Sequence, residues 1–177
     1  LTKFGFQGMT KKDYKAEALD YIEKIIADAK NEINEIDVSK DVKDEAIMEL
    51  DKAEASATIE INSSTSKAEI DAAIDSANRT IDMQISNVTA EYYRQLDEAK
   101  ASASAEVQAK AEAAKAEINE FDVTDYYKDS AKSNIDNAVT EAKAAIASAT
   151  SKDLINDAKD EAIDKIKIEV ERIRPTS

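Results

Sequence analysis

Cysteine, histidine and tryptophan are missing from this chain altogether, and between Met9 and Arg174 so are glycine and proline. Without cysteine there is no disulfide and no thiolate metal site, and the redox compartment leaves no mark on the sequence. Without histidine, the commonest general base and the commonest transition-metal ligand are both lacking. A β-rich fold would need turn residues that the long breaker-free stretch does not supply. No apolar run approaches the ~20 residues of a membrane span. There is no phosphate-binding glycine loop and no nucleophile elbow. No segment reads as a signal peptide, so a secreted parent protein is expected to carry this chain internally.

Positive charge is also short. The 24 Lys and Arg face 38 Asp and Glu, a net charge of −14. Phosphate neutralisation needs clustered cations, so nucleic acid is not an expected partner, nor is an anionic membrane surface. The acidity keeps a long molecule soluble and self-repelling.

What is abundant is Ala, Glu, Lys, Asp and Ile, most of which favour helix. The chain also repeats itself. Ile33-Asn34-Glu35-Ile36-Asp37-Val38 recurs as Ile118-Asn119-Glu120-Phe121-Asp122-Val123, and the same gapless offset maps Thr65-Ser66-Lys67 onto Thr150-Ser151-Lys152. From Lys30 to Ile81, 23 of 52 aligned positions are identical.

The recurring blocks read as helix junctions. Ser39 and Thr124 are N-cap candidates, with Asp41 and Asp125 close behind. Ser66 with Glu69 fits a capping box, and Thr150 with Asp153 is its counterpart. Between the junctions the apolar spacing is helical. The first helix carries Tyr14, Ala18, Ile22, Ile25, Ala29, Ile33 and Ile36; the second Val42, Ala46, Leu50, Ala53, Ala57 and Ile61; the third opens with Ile70, Ala73, Ala77 and Ile81. The second copy answers with Ala103, Val107, Lys110, Ala114, Ile118 and Phe121, then Tyr127, Ala131, Ile135, Ala138, Ala142 and Ile146, then Ile155, Ala158, Ala162, Ile166 and Val170. Lys110 stands where Ile25 stood, so this copy must bury a lysine stem or shift its face there.

The spacing predicts an all-α fold: two tandem three-helix bundles joined by a long shared helix, an elongated, spectrin-like rod. The shared helix is expected over roughly Ser66 to Glu120, unbroken across Met83 to Leu96, because Ile81, Ile85, Val88, Tyr92 and Leu96 keep one stripe. Residues 1–9 read as a tag remnant or a disordered end, 10–87 as repeat 1, 88–174 as repeat 2 and 175–177 as a tail. Ala-rich stripes bury little area and leave no room for a substrate pocket of ~300 Å³ or more.

The blocks I-N-E-I-D-V and A-S-A-T-I-E-I-N-S-S-T-S-K-A-E-I-D-A-A-I resemble the Ala-, Asn- and acid-rich repeats of giant Gram-positive surface proteins, catalogued as domain of unknown function 1542. The resemblance runs from about Lys15 to Val170. It implies tandem three-helix units in an extracellular, cell-wall-anchored stalk, with roles in adhesion, cell aggregation and matrix binding. It brings no catalytic residues with it.

No catalytic, metal-binding or cofactor-binding residue is expected. The clusters Asp41, Asp44, Glu45 and Asp157, Asp160, Glu161, Asp164 lack the glycine of a Ca²⁺ loop and read as solvated helix faces. The candidate interface residues are aromatic: Tyr92-Tyr93 on the shared helix and Tyr126-Tyr127 at the start of the fourth. Adjacent residues on a helix cannot both face one core, so one of each pair should be partly exposed, as a binding contact or as a wedge at an inter-repeat junction near Val88.

Two functions of different class remain open: a stiff, monomeric spacer whose partners are adjacent repeats of its parent, and a helical binding module for a host protein such as albumin, immunoglobulin or a matrix component. An exposed apolar patch in one repeat but not the other would favour the second. An oligomeric coiled coil ranks lower, since the second helix does not hold a heptad. An enzyme ranks last.

Overall fold

A computed structural model describes residues 10–176. The segment 1–9, expected to be a tag remnant or disordered, lies outside the described residues, as does Ser177. Five helices make up the fold: α1 (Lys11–Glu35), α2 (Lys40–Ser63), α3 (Lys67–Asn119), α4 (Asp125–Ser148) and α5 (Lys152–Ile173), with no strand among the described residues. The all-α expectation holds. α3 is 53 residues long and passes through Met83–Leu96 without a break. The sequence repeat reappears in the helix limits. α2 and α4 begin and end at equivalent positions of the two copies, and so do the first residues of α3 and α5.

The chain divides into two compact units, one up to Arg94 and one from Gln95. α3 therefore serves twice, lending residues 67–94 to unit 1 and 95–119 to unit 2.

In unit 1 the core is a single cluster running from Tyr14 on α1 through Leu50 on α2 to Ile70 and Val88 on α3. One expected core position moves. Ile26 is buried at 1 % exposure and Ile25 only partly. Both choices keep spacings of three and four, so the pattern alone did not decide between them. The second copy shows why the shift serves both. Its Ala111, equivalent to Ile26, is fully buried, and Lys110, equivalent to Ile25, is exposed. Turning the stripe by one residue keeps the lysine in water.

Unit 2 buries Val107, Ala111 and Ile118 on α3, Ala131, Ile135 and Ile146 on α4, and Ile155, Ile166 and Val170 on α5. Tyr127, expected on the α4 stripe, is instead 51 % exposed. Its counterpart Val42 packs at the edge of the unit 1 core, as does Tyr92 of α3.

The junctions are held by local bonds. At the start of α3, Ser66 Oγ accepts from the Glu69 amide at 3.2 Å, while the Glu69 carboxylate reaches back to the amide and hydroxyl of Thr65 at 3.2 and 2.9 Å. The expected Ser66–Glu69 pair therefore makes its N-cap bond, and only the return bond of the box goes to Thr65 instead of Ser66. In the second copy, Ser151 rather than Thr150 is the N-cap and accepts from the Leu154 amide at 3.2 Å.

The C-terminal ends are closed from outside. The last turns of α1 to α4 contain no basic residue, although a cation there would complement the helix dipole and the free carbonyls. Lysines of neighbouring helices do this instead. Lys43 of α2 donates to the Asn34 carbonyl of α1 at 2.7 Å, and Lys128 of α4 to the Asn119 carbonyl of α3 at 2.9 Å. Lys15 donates to the Asn62 carbonyl at 3.0 Å, and Lys100 to the Ala147 carbonyl at 2.9 Å. Each pair of bonds is one bond repeated at the equivalent positions of the second copy. So is the α1–α2 ion pair Lys30–Asp51, which returns as Lys115–Asp136.

Candidate interaction surfaces

The candidate tyrosines fall into two separate pairs, each inside its own unit. Tyr92 lies half-buried against the unit 1 core, and the next residue, Tyr93, is 59 % exposed. Their rings meet edge to face, centroids 5.3 Å apart. Val88, one turn earlier, is 1 % exposed and belongs to the same core as Ile33 and Val38. In unit 2, Tyr126 is 78 % exposed and Tyr127 also projects into solvent, with ring centroids 5.6 Å apart. Both rings of this pair are therefore exposed, beyond the one partly exposed ring expected of each pair. Phe121, in the preceding turn, is stacked under the Arg174 guanidinium at 5.3 Å.

Other exposed apolar side chains went unnoticed in the sequence. Met48 and Ile59 stand three turns apart on α2 and so on one face, and both are largely exposed. Their equivalents in unit 2 are Ser133 and Ala144. Met83 on α3 and Ile168 on α5 are a repeated pair, exposed at the same position of each unit. The signal was available: all four are apolar residues lying off the stripe of their helix.

The acidic clusters are ordinary surface. Asp44 pairs with Lys40, and Glu161 shares Lys165 with Glu141. No group of three or more acidic side chains is arranged to hold a metal ion among the described residues. No helix among them is long and apolar enough to cross a membrane.

Grooves are wider than the alanine content suggested. An open groove of about 480 Å³ runs between α1 and α2, floored by Leu19, Ile22 and Ile26 and edged by Glu23, Lys30 and Glu54. Another, of about 290 Å³, lies between α2 and α3 over Ala53, Ala57, Ala73 and Ala77. Its unit 2 counterpart shrinks to about 170 Å³. There Lys165 bridges α5 to Glu141 of α4, at positions where unit 1 has Thr80 and Ser56.

The most perturbed titratable group is Tyr14. Burial, then the hydrogen bond and negative charge of Asp71, pushes its phenol up to about 12. It is a packing residue that ties α1 to α3, and it opens onto none of these grooves.

The matched segment coincides with unit 2 almost end to end. Residues 99–172 match the family model DUF1542, described as a Domain of Unknown Function. The DUF1542 match starts within the unit 2 share of α3 and stops in the last turn of α5. By the repeat offset it corresponds to positions 14–87 of unit 1. The resemblance read from the sequence is thereby shown for the second copy. No curated protein and no solved structure matches the chain.

Proposed function

We propose that this chain is a non-catalytic repeat segment of a bacterial surface protein. In this reading it lies outside the cell, in a parent anchored to the wall, and acts as a stiff spacer in adhesion, aggregation or biofilm formation. Its partners are adjacent repeats of that parent, and the segment itself is a monomer. The observation that carries the reading is α3, a single 53-residue helix that belongs to two units at once. A flexible string of domains would put Gly, Pro or Ser-rich linkers at that point. The repeated lysine bonds at the helix ends support the same reading, since they recur at one spacing in both units. Small-angle scattering tests it. An elongated monomer is expected, and a radius of gyration near the ~16 Å of a compact chain of this length would overturn it.

A second reading, a binding module for albumin, immunoglobulin or a matrix component, draws on Met48 and Ile59. They are exposed apolar side chains on one side of α2, about 16 Å apart, at positions where unit 2 has Ser133 and Ala144. Exposed apolar residues of this kind mark interfaces when they group together. Pull-down from serum and matrix extracts, with Met48→Lys/Ile59→Lys as control, distinguishes the two. Retention by the native chain alone would favour the binding module, and no retention at micromolar concentration would leave the spacer.

A further inference from the structure

One groove differs in charge from its own repeat. Between α3 and α5 of unit 2 lies a groove of about 230 Å³. Its floor is apolar, made by Ala113, Ala114, Ile163, Ile166 and Val170. Lys110 of α3 and Lys167 of α5 stand on its two rims. Both are exposed, and neither makes a hydrogen bond or ion pair among the described residues.

The level of the two lysines is fixed by the helix register. Arg174 bonds to Glu117 and Lys152 to Gln95, each pair 57 residues apart across α5 and α3. Lys110 and Lys167 share that separation, so they face each other across the groove. Two turns further along, Arg174 closes the end by binding both carboxylates that line it, Glu117 and Glu171, at 2.9 and 2.8 Å. Between the lysines and that closure the floor runs for about 10 Å.

Unit 1 supplies an internal control. The positions equivalent to Lys110 and Lys167 are Ile25 and Asp82, and those equivalent to Ala113 and Glu117 are Asp28 and Glu32. Those positions in unit 1 hold three acids and no cation, and Asp28 is paired with Lys24 of its own helix. In a chain of net charge −14, the unit 2 groove is a local reversal of sign.

We propose that this groove binds a medium-chain aliphatic carboxylate, its head held between Lys110 and Lys167 and its tail laid along Ile166 and Val170 toward Arg174. Two free ammonium groups beside an apolar floor match one anionic head joined to one apolar tail. The tail supplies burial, and displacing water from the floor strengthens the charge contact that bulk water would otherwise weaken. The site is independent of whether the chain is a spacer.

The test uses the full chain, labelled with ¹⁵N, titrated with sodium decanoate below its micelle concentration. Saturable amide shifts are expected at Ala113, Ala114, Ile163 and Val170, with no matching shifts at their unit 1 equivalents Asp28, Ala29, Asn78 and Ile85. Lys110→Ile/Lys167→Asp installs the residues that unit 1 carries and should weaken binding at least about tenfold, with an unchanged circular dichroism melt. Lys110→Gln/Lys167→Gln, which keeps side-chain bulk, should do the same. Decanol should bind at least about tenfold more weakly than decanoate. Equal shifts in both units, no saturation at millimolar decanoate, or undiminished binding by either variant would overturn the proposal. So would an acidic helical peptide that takes the groove in preference to decanoate, since the occupant would then be a protein.

Discussion

The Tyr14 hydroxyl donates to the Asp71 carboxylate at 2.5 Å, joining the first turns of α1 and α3 across 57 residues of sequence. Lys67 adds its ammonium over the same ring, 5.1 Å from the centroid. The position equivalent to Tyr14 in the second copy is Ala99, so this fastening belongs to unit 1 alone.

High pH should loosen that unit selectively. Tyr14 has its pKa raised from 10.0 to about 12, so the neutral phenol is the form that the fold prefers. Its contribution is fully present below pH 10 and is lost as pH rises toward 12. Tyr14→Phe should cost about 1 kcal/mol at pH 7, since Asp71 is left to water. The variant should also lose less stability between pH 10 and 12 than the native chain. Thermal melts across that range, with phenolate absorbance showing one tyrosine titrating late, measure both effects.

Low pH acts elsewhere. Hydrogen bonds from the Thr65 hydroxyl and amide hold the Glu69 carboxyl below its usual value of 4.5. A lowered carboxylate contributes above its unfolded pKa and ceases to contribute as pH falls through the folded one. Glu69→Gln should therefore lower the melting temperature slightly at pH 7 and make no difference well below pH 4.5. An equal deficit at both ends of the range would show that the bond pattern, not the charge, matters.

Removing the lysines that close the helix ends should have matched effects. Lys43→Ala and Lys128→Ala each delete one side-chain bond to a C-terminal carbonyl, at equivalent positions. Each should cost roughly 0.3–1 kcal/mol, with salt reducing the loss. Hydrogen exchange should rise at the end of α1 for the first variant and at the end of α3 for the second.

Core truncations should report on the units one at a time. Leu50 and Ile135 are equivalent and both fully buried. Leu50→Ala and Ile135→Ala should each cost about 2–5 kcal/mol. Exchange protection should fall mainly in residues before Arg94 for the first and after Gln95 for the second. Spreading of either effect evenly over the chain would mean that the two units unfold as one.

The helices were legible because their spacing, their junction residues and their repeat all agreed. Where those signals were silent, the sequence misled. Ile25 and Ile26 both satisfy a helical stripe, and only the packing of α1 against two neighbours chose Ile26. Tyr127 sat correctly on its stripe, yet it is exposed, because a stripe fixes a face of the helix and not what packs on that face. The capping box was found with Ser66 as its cap, yet the return bond of the Glu69 carboxylate goes to Thr65, a change of one residue that local geometry decides. The lysine-rimmed groove was half visible. Lys110 stood out as a break in the stripe, but its facing partner Lys167 depends on the register between α3 and α5, which no local pattern encodes.

A helix counted by two units also restricts how such a gene can grow. Cutting the chain inside α3 leaves one side short of a wall, so copies cannot be added there as whole cassettes with linkers. Recombination between the block Ile33–Val38 and its twin Ile118–Val123 is different, because it joins like to like at a turn. Such an exchange inserts or deletes one whole repeat and returns every remaining helix to equivalent neighbours. The length of a protein built on this plan is thereby quantised, and its growth step is set by the register of a shared helix.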